Sequence, residues 1–121
     1  MRDFKQLQVW RLAHELTVDL YRTTDRRLYR FPTLRSQMLR AARSVGANIA
    51  EGSGAEGAEF VRFLGHSLRS ALEVENDLLL SRDLQILRLS DFHRLNERDE
   101  HVRRKLISFM RYLRNQRNDS S

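Results

Sequence analysis

Apolar residues recur at three- and four-residue spacing along nearly the whole chain, the period of helices that bury one face. The first stripe runs from Phe4 to about Leu28 through Leu7, Trp10, Ala13, Leu16, Leu20 and Tyr21. Phe31-Pro32 ends it, because the residue before a proline is pushed out of helical ψ. Proline also suits a first helical turn, so a second helix begins there. Its stripe is Leu34, Met38, Ala41, Val45 and Ile49, and Gly52-Ser53-Gly54 stops it. A third helix starts near Glu56, carries Phe60, Leu64, Ser67, Ala71, Val74 and Leu78, and fades around Leu84 to Leu87. Ser90-Asp91 offers an N-cap for a fourth. There Phe92, Leu95, Val102, Leu106, Phe109 and Leu113 repeat, with Asp99 the one polar residue in register. Asn115 to Ser121 reads as frayed.

These signals predict helices over about 4–29, 33–53, 56–85 and 90–116, in one domain spanning 1–121. Short connections make successive helices antiparallel. The expected fold is therefore all-α, an up-down-up-down four-helix bundle.

Composition narrows the chemistry. With no cysteine, disulfides, thiol catalysis and thiolate metal sites are excluded. The longest apolar runs are three residues, as at Leu78 to Leu80, against the ~20 a membrane span needs. The first residues lack the apolar stretch of a signal peptide, and a cytoplasmic location is expected. The net charge of +6 comes from 20 Arg and only 2 Lys. It is unevenly spread. Residues 22–43 hold seven Arg against one Asp, and 98–117 hold six Arg and Lys105 against Asp99 and Glu100. Residues 51–83 hold seven acids against three Arg. Both basic segments are expected toward one end of the bundle, as a patch for phosphates or for an acidic subunit face. The nucleic-acid candidates are Arg26, Arg27, Arg30, Arg103, Arg104, Arg111, Arg114 and Arg117.

No catalytic site is expected, since no serine has a recognisable base and orienter. Gly52-Ser-Gly54-Ala-Glu-Gly57 has the letters of a dinucleotide fingerprint, but a helix precedes it where the chemistry needs a strand. Its glycines read as a helix cap and tight turn. His93, Glu97 and His101 share one face of helix four, yet they span ~12 Å along the axis and read as solvated. No metal and no cofactor are expected. The most informative pattern is a polar stripe on helix two, Gln37, Arg40, Ser44, Asn48 and Glu51. His66, Ser70, Glu73 and Asp77 form another on helix three. Antiparallel pairing about a turn near Ala55 brings Arg40 level with Ser70 to Glu73, predicting an Arg40–Glu73 pair within a network that sets helix register or a subunit contact, with a ligand surface as the alternative. Val9, Leu12, Val18, Leu39, Leu72 and Ile107 fall beside or outside the stripes and predict self-association.

Phe4-Lys-Gln-Leu7-Gln-Val-Trp10, Ser36-Gln37-x-x-Arg40-Ala41, Ser44-Val-x-x-Asn48-Ile-Ala-Glu51-Gly52, Phe63-Leu64 and Ser70-x-x-Glu73 together carry a resemblance. They resemble bacterial four-helix-bundle proteins first noticed as reading frames in intervening sequences of large-subunit ribosomal RNA genes. That family includes the accessory variability protein of diversity-generating retroelements. The likeness runs from about Phe4 to Leu113. It implies a ring-like homopentamer with a basic surface and, for the retroelement members, binding of RNA or DNA and of a reverse transcriptase. Two departures stand out: Gly46 where the family usually has proline, and Arg69 where it usually has glycine. The first predicts a looser or straighter helix two. The second sets a bulky cation where helices often approach closely. The function expected is that of a non-enzymatic nucleic-acid-binding accessory protein, with a protein-interaction scaffold as the alternative.

Overall fold

The computed structural model describes residues 2–27 and 30–120. A 3₁₀ turn, Phe4–Gln6, leads into α1 (Gln8–Arg27), followed by α2 (Pro32–Gly52), α3 (Gly57–Asp83) and α4 (Leu89–Ser120). Each helix packs on its neighbour in sequence, and α4 closes back on α1. The described residues contain no strand.

The first stripe is broken where one continuous helix was expected. Asp3 accepts a hydrogen bond from the Lys5 amide, and Leu7 is extended at ψ 127°, so Phe4–Gln6 is a separate turn. The break lets the Phe4 ring meet Trp10 edge-on at 5.1 Å. Pro32 occupies the first turn of α2, as its fixed φ favours. Helix four starts one residue before Ser90, with the Phe92 amide bonded to the Arg88 carbonyl, so Ser90-Asp91 lies inside the first turn and does not cap it. At its other end the helix continues to Ser120 instead of fraying at Asn115. Between α3 and α4 the chain turns through Gln85 at φ 59°, with Gln85 and Ile86 amides reaching back to the Arg82 and Ser81 carbonyls. That is a Schellman ending built without glycine.

Ala13, Leu16, Leu20, Met38, Ala41, Val45, Ile49, Phe60, Leu64, Leu78, Leu95 and Leu106 form the core. Val9 and Leu39 join it, so they do not mark an outer interface. Leu12 and Val18 are half-buried. Leu72 and Ile107 remain 46% and 44% exposed. Arg69 points to solvent, away from any close helix approach.

The two basic segments lie at opposite ends, contrary to the expectation of one shared patch. Arg94 of α4 bonds Asp19 and Thr23 beside the α1–α2 turn, whereas Phe109 meets Phe60 in the first turn of α3 at 5.5 Å. Alternating direction forces this separation: helix two starts where helix four starts, far from where helix four ends. At 32 residues, ~48 Å, α4 outruns its neighbours. Since Phe109 already meets the start of α3, residues beyond Leu113 extend past the bundle.

Candidate nucleic-acid interface

An arginine held by a carboxylate of the same chain is less available to a phosphate, the more so the more buried the pair. Register and rotation of the helices decide this for each side chain. Arg103 is turned inward, with Nε 3.2 Å from Asp99 and Nη2 2.7 Å from Glu75 of α3. It is a structural ion pair and leaves the predicted interface. Arg104 pairs with Glu100 one turn earlier at 3.0 Å. Arg94 and Arg98 both reach Asp19, and also Asp91 and Glu15 respectively. Burial alone would raise the Asp19 carboxyl, but Arg94, Thr23 and Arg98 together hold it below the ordinary range. His93 is exposed, and Glu97 and His101 line a shallow hollow with Arg94, Arg98 and Arg104. Those guanidiniums repel a metal cation, and among the described residues no cluster has metal-ligand geometry.

Arg111 and Arg114 are exposed and carry no carboxylate partner among the described residues. Arg30 is exposed in the α1–α2 turn. The side chains of Arg26, Arg27 and Arg117 lie outside the described residues.

The second polar stripe meets the first as an open seam between α2 and α3. Arg40 Nη2 lies 3.5 Å from Glu73 Oε2, with both side chains more than half exposed. Ser70 Oγ donates to Ser44 Oγ at 2.9 Å, and Asn48 Nδ2 donates to the Ser44 carbonyl and hydroxyl. Gln37 and Glu51 are exposed and stand outside this group. Burial and the neighbouring Glu73 raise Asp77 above the usual carboxylate range. Because the Arg40–Glu73 pair is solvated, Arg40→Ala lowers unfolding free energy by less than ~1 kcal/mol, measured by urea denaturation. A loss of ~3 kcal/mol would mark a buried pair instead.

A different basic surface was not legible as a site. Between α1 and α2 lies a half-open cavity of about 490 Å³. Trp10, His14 and Tyr21 line it, with Arg22, Arg43 and Gly46, and no carboxylate does. The His14 ring stacks on Trp10 at 4.8 Å and 15°. The Arg43 guanidinium donates to the Tyr21 hydroxyl, and Arg35 stands over the Tyr21 ring at 5.8 Å. At Gly46 a Cβ would lie 3.6 Å from the indole nitrogen, so the absent side chain opens the cavity floor without being sterically required. Trp10 and Tyr21 were visible as part of a buried stripe, and His14 stands outside that stripe. Only the rotation of α1 turns their edges outward.

The sequence pattern of the 23S rRNA-intervening sequence proteins matches residues 5–108. The chain belongs to that family. A crystal structure of a protein of unknown function from the S23 ribosomal protein family of Bacteroides thetaiotaomicron is similar. It superposes with a TM-score of 0.77 at 25% identity, covering 84% of this chain and 97% of that one. No curated protein matches the chain. The span shared with the intervening-sequence proteins holds the whole α1–α2 cavity but ends before Arg111 and Arg114. The arginines of the α4 extension thus lie outside the family match. Among the described residues, no helix of this intervening-sequence protein is long and apolar enough to cross a membrane.

Proposed function

We propose that this protein is a non-enzymatic, cytoplasmic homo-oligomer, a ring-like pentamer, that binds RNA or DNA through exposed arginines. It serves as an accessory to an intervening-sequence or retroelement process, in company with a reverse transcriptase. The observation that carries the binding is the residue of charge left once ion pairs are counted. Arg11, Arg22, Arg69, Arg88, Arg111 and Arg114 are exposed and have no carboxylate partner among the described residues. Self-association is supported by Leu72 and Ile107. They sit one turn from the Glu75–Arg103 pair in the same direction, so two exposed apolar residues lie level on adjacent helices.

The test has two readouts. Light scattering returns a mass several times that of one chain at micromolar concentration. A monomer overturns the ring. Filter retention of RNA or DNA at ~50 mM salt weakens with added salt by about 0.9 log units per log unit for each duplex phosphate neutralised. Replacing Arg111, Arg114 and Arg117 together by Gln flattens that slope and leaves the melting temperature nearly unchanged. Absence of retention by the unaltered protein overturns the nucleic-acid reading and favours a protein-interaction scaffold.

A further inference from the structure

We propose that the cavity between α1 and α2 is a stacking site for unpaired bases of a single-stranded nucleic acid, with the flanking phosphates held by Arg22 and Arg43. The proposal rests on the nucleic-acid reading above and adds where the strand lies and why it must be single. Proteins that hold single strands without reading sequence combine cations along the backbone with aromatic rings on which bases stack. Both components are present here on one groove. Trp10 and His14 already form a two-ring stack, and His14 is its exposed end. Tyr21 stands two turns further along the same helix, ~10 Å from His14 along the axis. At ~3.4 Å per nucleotide that gap takes one or two bases. The cavity, about 490 Å³, lies within the ~300–1,000 Å³ typical of small-ligand sites.

Charge sets this groove apart from the arginines packed along the body of α4. Along α4, Arg94, Arg98, Arg103 and Arg104 all face carboxylates. Arg22 has none among the described residues, and Arg43 bonds only the neutral Tyr21 hydroxyl. Arg35 adds a third cation at the Tyr21 end, with Asp25 4.0 Å away as its partner. The floor offers little to read a base edge, since the Thr17 hydroxyl already engages the Ala13 and Ala42 carbonyls. Binding is accordingly tolerant of sequence. In a duplex the base faces are covered by their neighbours, so only an unpaired strand can place them against His14.

Trp10 is the single tryptophan of the chain, and it reports on the site directly. The full-length protein is titrated at ~50 mM salt with a short oligouridylate, the matching oligothymidylate, a duplex of equal length and free UMP, following Trp10 fluorescence beside filter retention. Both single strands are expected to quench Trp10 saturably, with duplex and UMP needing at least about tenfold higher concentration. His14→Ala weakens single-strand affinity about tenfold while leaving duplex retention within about twofold, and Arg22→Gln with Arg43→Gln weakens single-strand affinity about tenfold and duplex retention by less. All three side chains are exposed, and an unchanged melting temperature verifies folding. Strand retention with no Trp10 response, or with these variants unaffected, overturns the groove and leaves the nucleic-acid reading standing. Quenching by UMP as readily as by a strand overturns the strand and makes the ligand a nucleotide. A Trp10 signal that follows protein concentration without oligonucleotide overturns it in favour of a second copy of the chain. Retention of neither strand nor duplex overturns both readings.

Discussion

Replacing Arg103 by Met lowers the unfolding free energy by an amount that grows as pH rises above about 7, by up to about 1.4 kcal/mol per pH unit, toward the ~3–5 kcal/mol of a broken buried pair. Arg103 is the counter-charge of Asp99, whose side chain is fully buried in the core stripe of α4. Burial pushes the Asp99 carboxyl up to about 7, with Glu75 adding to the rise while the charge and hydrogen bond of Arg103 hold it down. Its Oδ1 has no hydrogen-bond partner among the described residues. Once Arg103 is gone, Asp99 must either stay charged in an apolar core or take up a proton against the solution pH, and the second costs more the higher the pH. Below pH ~6 the carboxyl carries a proton and needs no counter-charge, so the penalty of the variant shrinks. Urea denaturation across this range measures it. An equal loss at both ends shows that Arg103 acts through packing and not through its charge.

The same carboxyl sets the pH dependence of the unaltered protein. Its native value of about 7 stands above the ordinary 3.8, so between those limits the folded chain holds a proton that the unfolded chain releases. The contribution of this group is therefore fully present at acid pH and is lost as pH rises through this window, by on the order of 4 kcal/mol. Asp99→Asn removes that component of the slope. A slope unchanged by the substitution assigns it to other groups.

The second large effect belongs to Gly52. Adding a methyl group there, Gly52→Ala, destabilises the fold by about 1–3 kcal/mol even though alanine is the better helix former. An added Cβ would lie 2.6 Å from Phe63 Cβ and 3.0 Å from Phe60 Cδ1. The Phe63 Cβ is tied to the α3 backbone, so relief requires α2 and α3 to part. Phe60 is itself fully buried, packed on Phe109 and covered by the Arg2 guanidinium at 4.7 Å. Arg2 also donates to the Ser53 and Ala55 carbonyls, so this one contact joins the chain start, the α2–α3 turn and the end of α4. Thermal melting measures the loss. An unchanged or raised melting temperature shows that the helices can separate at no cost. The glycines that spell a dinucleotide fingerprint thus have structural duties: Gly52 allows close approach, and Gly57 sits at φ 59° where α3 begins.

What the sequence determined by itself was everything carried by local period and punctuation. The four helices follow from apolar spacing, and their ends from Pro32 and the glycines after Glu51. On helix three every expected core position from Phe60 to Leu78 is buried, including Ser67, whose hydroxyl bonds the Val45 carbonyl. The level of Arg40 with Glu73 follows from counting outward from the turn. The separation of the basic segments to opposite ends follows from alternating direction alone, so the expectation of one shared end misapplied a rule the sequence already supplied.

Tertiary structure alone decided which charges are available. Arg103 and Arg111 are eight residues apart on one helix and look alike in the sequence. One faces Glu75 of α3 and is held there, while the other has no carboxylate partner among the described residues. The difference depends on what the neighbouring helix presents at the same level, a matter of register and axial rotation that no single helix encodes. The α1–α2 groove arises in the same way. Trp10 and Tyr21 occupy helical positions fit for a core, and the rotation of α1 leaves their rings on its border, beside Arg22 and Arg43.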